Sequence, residues 1–309
     1  KNMKNKKIII SEEVKKAIKD KSPIVALEST LISHGLPYPL NISIANKCIN
    51  VIKKNNVTPA TIGIIDGNIK IGLNKIDINK LAKFSNVEKV SRHNLSLSML
   101  KNKYASTTVA STMMIASMLG IKIFSTGGIG GVHIDSEFTF DISSDLKELE
   151  KTNMIVISSG AKSILDIFKT NEMLETLGIT RIGFKTNYVP GFWTKKTTMI
   201  VDKKIDKIEE LSEIILNRKI LNQKGSVLIY NPVENKYSVK ENLIKKWIQI
   251  ANKNAKLNKI KGKNLTPYLL KEISDLSNKK TLKANTSLII NNAELAAQIA
   301  FKLNKILWE

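Results

Sequence analysis

The chain has little of what several protein classes depend on. With a single cysteine, Cys48, it cannot form an intrachain disulfide. The helix-like surroundings of that residue predict a small buried hydrophobe, and such usage fits a reducing compartment. No apolar run approaches the roughly 20 residues that a membrane helix needs. The opening KNMKNKK, residues 1–7, has no apolar core, so it reads as a basic tail and not as a secretory signal; an organelle-targeting tail is the alternative to the expected cytoplasmic location. Aromatic residues make up 6 % of the chain, and arginine is confined to Arg92, Arg181 and Arg218. These last scarcities matter because a net charge of +22 otherwise points to nucleic acid. A polynucleotide surface uses arginine forks and interleaved aromatics, which supply bidentate and stacking contacts. Here the basic residues are lysines accompanied by asparagine along the whole chain. The composition is therefore read as a lysine/asparagine drift, and a nucleic-acid partner is not expected.

At 309 residues the chain is long enough for one large α/β domain or two smaller ones. It shows no internal repeat and no low-complexity linker, which favours one domain over 8–307. Ser11 caps a first helix, SEEVKKAIKD, with acidic residues in its first turn. PIVALEST follows as a strand buried on both faces. It ends in Glu28, which is either an ion-paired structural acid or a catalytic one. SHGLPYPLN is a loop and ISIANKCINVIKKNN a helix. TPATIGIIDGNIKIGL reads as two strands joined by an Asp66-Gly67 hairpin turn. NKIDINKLAKF is a polar helix, after which Lys89, Arg92 and His93 come close together. These three form either a solvated basic edge or a phosphate clamp. ASTTVASTMMIASMLG predicts a tightly packed helix ended by Gly120.

The segment 126–163 concentrates the chemistry. After the strand IKIFST come TGGIGGVH, TFDISSDL, a helix DLKELEK and a strand MIVISSG that delivers Ala161, Lys162 and Ser163. Gly127, Gly128, Gly130 and Gly131 are expected to give positive φ and close backbone approach to a ligand. A helix KSILDIFKTNEMLETLG and a strand TRIGFKT complete a βα alternation. That alternation predicts an α/β/α fold, a mostly parallel central sheet with helices on both faces. In such sheets ligands lie beyond the C-terminal strand ends, where Glu28, Thr126 and Lys162 all fall. NYVPGFWTKKTTMIVDKKID reads as an irregular segment with a possible lid role. It is followed by a helix KIEELSEIILNRKIL, a strand GSVLIYNPV and helices at about 239–257, 266–277 and 285–307. The last of these carries Asn291-Asn292.

Lys162 is the most informative single residue. At a predicted helix N-terminus, and partly buried, its amine would be pushed toward the neutral form that attacks a sugar C1. The alternative is an ordinary surface lysine. His133 has no second histidine at ligand spacing, so it reads as a donor to an anion. Asp141 and Asp145, with Ser143 and Ser144 between them, are hard oxygen groups suited to Mg²⁺ or Mn²⁺. Asp145 also fits an N-cap for the following helix.

VALESTLISHGLPYP, TPATIGIIDG, KVSR, ASTTVASTMMIA, FSTGGIGGVH, TFDISSDL, SSGAKSILD, TPYLL and NNAELAAQIA, in this order, closely resemble the pseudouridine-5′-phosphate glycosidase family, which also includes the indigoidine synthase A-like proteins. The likeness runs from about residue 8 to about residue 302. It implies a lyase-class enzyme that reversibly cleaves the C–C bond between uracil and ribose 5-phosphate, using a divalent cation, usually Mn²⁺. The lysine of GAKS, Lys162, is implied as the Schiff-base nucleophile and the glutamate of ALEST, Glu28, as the proton donor and acceptor. Asp141 is implied as the metal position. Ser143, Ser144, Asp145, Lys89 and Val109 match substrate-binding positions, with His133 and Asn285 as further pocket members; Thr126 joins them as a strand-end residue. The resemblance further implies a small-molecule nucleotide substrate and a homotrimer. The chain departs from the family in having Arg92-His93-Asn94 for Arg-Arg-Asp, and in lacking the arginine and prolines that follow PGFW. Two rivals stand beside this reading: a related C-glycosidase or C-glycosynthase acting on another C-nucleotide, and an RNA-associated basic protein.

Overall fold

In the computed structural model residues 7–101, 103–260 and 265–308 are described, so of the basic tail 1–7 only the exposed Lys7 falls among them. The first half of the chain supplies strands β1 (Ile8–Ile10), β2 (Ile24–Leu27), β3 (Thr58–Ile65), β4 (Asn68–Ile71), β5 (Glu88–Val90), β6 (Tyr104–Thr107) and β7 (Ile123–Ser125). Interspersed with them are α1 (Glu12–Lys19), α2 (Leu40–Lys54), α3 (Lys75–Lys83), α4 (Leu95–Lys101) and α5 (Val109–Met118). The second half adds α6 (Ser136–Thr139), α7 (Ser144–Lys151), β8 (Ile155–Ser158), α8 (Ile167–Thr176), β9 (Thr180–Phe184), β10 (Lys203–Ile205), α9 (Glu210–Ile220) and β11 (Val227–Tyr230). Four helices close the chain: α10 (Glu241–Leu257), α11 (Leu265–Leu276), α12 (Lys280–Lys302) and α13 (Asn304–Trp308).

The main sheet runs β1-β4-β3-β2-β7-β8-β11-β9-β10. Its pairs are parallel except that β3 meets β4 and β6 antiparallel. The eight-residue β3 explains this branching: its first half pairs with β2, from Thr58 to Thr61, while its second half pairs with β4 and β6. The Asp66-Gly67 turn is present, with φ of 50° and 74° at the two residues. Those left-handed angles suit a hairpin whose twist matches its strands. All residues of β2, β8 and β11 are buried, as in strands covered on both faces. On one side α12 packs along α2 and crosses β2, β7 and β8, while α5 packs with α7 and against β2 and β3. One hydrophobic cluster extends from Val14 to Leu303, so the α/β/α layers form a single domain. Cys48, in α2, is part of that cluster with 2 % exposure, and burial raises its thiol to about 12.

Several local expectations change. The helix expected from Lys162 begins only at Ile167, where Asp166 caps it by accepting from Lys169 N at 2.9 Å. Lys162 therefore lies in a turn, and the helix-dipole argument for its amine does not hold. The final helix starts at Lys280 and is interrupted at Leu303. The segment after PGFW is not a free lid at its aromatic end: Phe192 and Trp193 are in the core, and the segment ends in the short strand β10 beside β9.

Candidate active site

Ser125, Ser158 and Tyr230 end three neighbouring parallel strands, and beyond the same rim β2 ends before Glu28. Glu28 is fixed from two directions. Thr126 Oγ1 donates to Glu28 Oε1 at 2.5 Å. The residues that follow Glu28 are tied to the end of β6, with Thr107 N donating to Ser29 Oγ at 2.9 Å and Thr30 Oγ1 to the Thr107 oxygen at 2.7 Å. The hydroxyl-rich ASTT sequence thus anchors the turn that carries the glutamate. Burial raises the Glu28 carboxyl above its ordinary value. The charge of Lys162 opposes that rise most, followed by the Thr126 hydrogen bond; Asp145 adds to the rise and Lys89 opposes it.

Lys162 reaches the site through a turn after β8, with its N–H bonded to the Ile129 oxygen at 3.1 Å. Lys89, on β5, has its amine lowered by burial and then by the nearby Lys162, against the pull of Asp145, Glu28 and Asp141. His133 is lowered by burial, against Asp141, and its Nδ1 stands 3.9 Å from Asp141 Oδ2. A neutral imidazole follows at neutral pH, able to donate from one nitrogen and accept at the other.

The glycine segment serves a different purpose from the one its sequence suggests. None of Gly127, Gly128, Gly130 and Gly131 has a positive φ. They are close-packing positions. A Cβ on Gly130 would lie 2.2 Å from Ser143 Oγ and 2.7 Å from Asp145 Oδ2; one on Gly128 would lie 2.6 Å from the Phe192 ring; and one on Gly131 would lie 2.4 Å from Thr170 Oγ1. Asp145 is buried, and its two oxygens accept from Ala110 N at 3.0 Å and Gly130 N at 2.8 Å. The helix cap is Ser143, whose Oγ accepts from Asp145 N at 3.2 Å, so Asp145 is not the cap.

Of the residues nominated from sequence, these line one cavity of about 430 Å³: Glu28, Lys89, Val109, Thr126, His133, Asp141, Ser143, Ser144, Asp145, Lys162 and Asn285. That volume is in the range for small ligands, roughly 300–1,000 Å³. A wider groove of about 1670 Å³ shares His133 and Asp141 with it but is lined by neither Glu28 nor Lys162, so the chemistry belongs to the smaller cavity. Arg92 does not join the site, because its guanidinium donates to the buried carboxylate of Glu148. Of the three residues expected to form either a solvated basic edge or a phosphate clamp, Lys89 and His93 line the cavity and Arg92 does not. Sequence reasoning missed Thr30, Ser91 and Thr108, which also line the wall; Ser91 Oγ lies 2.6 Å from Ser144 Oγ. For Ser91 and Thr108 the available signal was their place directly after the short strands β5 and β6.

Among the described residues there is no cluster of three or more His, Cys, Asp or Glu side chains that could hold a metal. Asp141 is exposed at the cavity wall. One accessible carboxylate fits a largely hydrated Mn²⁺ or Mg²⁺ and does not fit an all-protein cage.

The sequence profile of the indigoidine synthase A-like protein family matches residues 13–302. The pseudouridine-5′-phosphate glycosidase of Caldanaerobacter subterraneus subsp. tengcongensis is 45% identical over 302 residues, which cover 98% of both chains. The Staphylococcus aureus protein of that name is 46% identical over 302 residues, again 98% of each. Among solved structures, the prealnumycin C-glycosynthase in complex with ribulose 5-phosphate superposes with a TM-score of 0.88 at 31% identity, covering 98% of this chain and 99% of the other. An indigoidine synthase A-like protein from Thermotoga maritima gives 0.87 at 31% identity, with the same coverage.

Proposed function

The chain belongs to the indigoidine synthase A-like family, and on that premise we propose that it is a pseudouridine-5′-phosphate glycosidase, releasing uracil and ribose 5-phosphate through a lysine Schiff base. The observation that carries this reading is the meeting of Glu28, Lys162 and Lys89 in one cavity with the hydroxyls of Ser143 and Ser144. A C-glycosidic bond has no leaving heteroatom to protonate, so a pair of carboxylates around an acetal oxygen would not break it. Ring opening breaks C1′–O4′ as O4′ gains a proton and uracil N1 loses one, which leaves C1′ electrophilic in conjugation with the uracil. Lys162 Nζ, as the free amine, then adds to C1′, and the proton it sheds returns to uracil N1 with the displaced electron pair. Glu28, whose carboxyl burial biases toward the protonated form, gives its proton to uracil C5; the C1′–C5 bond breaks as the nitrogen lone pair forms C=N. Water hydrolyses that Schiff base, freeing ribose 5-phosphate and Lys162. Lys89 and the Ser143–Ser144 hydroxyls supply cationic and neutral donors for the substrate, fixing it through groups remote from the reacting carbon. Asp141 would hold Mn²⁺ or Mg²⁺, which supplies charge neutralisation for the phosphate-bearing substrate.

The test is borohydride trapping. Protein incubated with pseudouridine 5′-phosphate and Mn²⁺, then reduced, is expected to carry a ribose-phosphate adduct on Lys162 by mass spectrometry. Uracil release without any adduct would remove the Schiff base from the mechanism, and near-normal cleavage by Lys162→Ala would place the nucleophile elsewhere. A second reading has the same site acting on another C-nucleotide or mainly forming the bond, and the likeness to the C-glycosynthase favours it. Turnover of a different aromatic C-riboside phosphate, with no uracil release from pseudouridine 5′-phosphate, would select it. The homotrimer implied by the resemblance is also proposed. Light scattering is expected to give three times the 34.5 kDa of one chain.

A further inference from the structure

Asn292 has no accessible surface and sits within α12, behind the cavity and not on its wall. Its Nδ2 donates to the Thr126 backbone oxygen at 2.8 Å, with the Gly127 oxygen at 3.3 Å, and to Ser159 Oγ at 3.1 Å. Its Oδ1 accepts from Asn231 Nδ2 at 3.0 Å. Ser159 Oγ gives its own proton to the Asn231 backbone oxygen at 2.7 Å. Thr126, Ser159 and Asn231 are each the first residue beyond a strand, after β7, β8 and β11. One side-chain amide therefore joins three adjacent strand ends, with both donors and its acceptor in use. Two of those ends lead to the reacting groups. The Thr126 hydroxyl holds Glu28, and Ser159 opens the turn that ends at Lys162.

We propose that Asn292 is a positioning residue, which sets the separation of Glu28 and Lys162 by fastening Thr126 and Ser159 to one rigid amide. This rests on the function proposed above, since it takes those two side chains as the reacting groups. Buried polar groups that are fully satisfied rigidify what they connect, and an amide whose four partners all lie outside its own helix has no role on the helix itself. The neighbouring Asn291 differs: its Nδ2 goes to Glu234 at 2.7 Å, away from these strand ends.

The experiment is steady-state kinetics with pseudouridine 5′-phosphate, alongside melting temperatures. Asn292→Ala is expected to lower kcat on the order of 100-fold, as a displacement of about 1 Å at the reacting atoms does. KM should stay within about twofold, because uniform binding is retained: the contacts of Lys89, Ser143 and Ser144 hang on β5 and α7 and are untouched. Asn291→Ala should keep kcat. Asn292→Asp retains the acceptor toward Asn231 but, ionised, offers no proton to the Thr126 and Gly127 oxygens; protonated, it regains one donor. Its kcat relative to the unaltered protein is therefore expected to rise as pH is lowered, a recovery that a merely structural role would not produce. An unchanged kcat in Asn292→Ala overturns the proposal, and so does a fall in kcat with no low-pH recovery in Asn292→Asp. If Asn292→Ala does not fold, Ser159→Ala, which removes the amide's link to the Lys162 turn together with the hydroxyl's own bond to the Asn231 oxygen, should still lower kcat with KM retained; an unchanged kcat there overturns the role. Absence of uracil release by the unaltered protein would overturn the function and this role together, whereas uracil release that is indifferent to the variants removes only the role.

Discussion

Glu28 shows how one carboxyl is pulled in opposite directions by its surroundings. Burial disfavours its charge, while Lys162, Thr126 and Lys89 favour it, and the net effect is upward. A carboxyl whose folded value is raised contributes stability only at low pH, and that contribution is lost as pH rises through the folded value. Charging Glu28 as pH rises therefore costs the fold stability. Glu28→Gln is expected to raise the melting temperature by about 2 °C, what roughly 1 kcal/mol gives a domain of this size. The same change should lower uracil release about 10²–10⁴-fold, the usual worth of a placed acid. Calorimetry beside a uracil assay checks both. Thr126→Val removes a donor that stabilises the carboxylate, so the alkaline limb of the cleavage profile, where protonated Glu28 is lost, should move to higher pH. A pH–kcat series decides this, and a limb that stays in place would detach the limb from Glu28. Glu28 was legible in sequence because it terminates an apolar run. The disposition of Asp145 was not: its partners, Ala110 N and Gly130 N, are 35 and 15 residues away and belong to other elements.

Among elements, the glycine segment is the clearest case of a right location read for an incomplete reason. Glycine permits positive φ, and it also permits contact closer than a Cβ allows; the sequence does not distinguish the two. Here contact decides, with α7 and Asp145 pressed against Gly130. Gly130→Ala must move Ser143 and Asp145, and is expected to cost about 1–3 kcal/mol with a raised KM, as read by thermal denaturation and kinetics. Gly35→Ala, where the nearest heavy atom to a new Cβ lies at 3.7 Å, should keep its melting temperature. The start of α8 was misjudged for a related reason. Ile164, Leu165 and Phe168 have helical spacing, but Leu165 instead bridges to His133 and the helix waits for the Asp166 cap. Likewise β5, β6 and β10 are three or four residues long, and their pairing partners lie far along the chain, beyond what local periodicity can show.

Over the whole molecule, the excess positive charge has no arginine to deploy. Arg92 is held by Glu148, Arg181 by Asp202 and Glu175, and Arg218 by Thr180 and the Lys224 and Gly225 oxygens. Lysines then act as diffuse point charges, so RNA binding is expected to be weak and to vanish between about 50 and 200 mM salt. Filter binding across that range checks it, and tight binding that persists would favour the RNA-associated rival. Among the described residues no helix is long and apolar enough to cross a membrane. The lone thiol has a different use. Cys48 lies inside the contact between α2 and α12, its Sγ 4.0 Å from the Ile289 oxygen, with a thiol too buried and too weakly acidic to react in place. Alkylation must therefore wait until those two helices part. With no second thiol to confuse the signal, the labelling half-life is a clock for breathing of the layer that backs the catalytic rim, and substrate that tightens the rim should slow it.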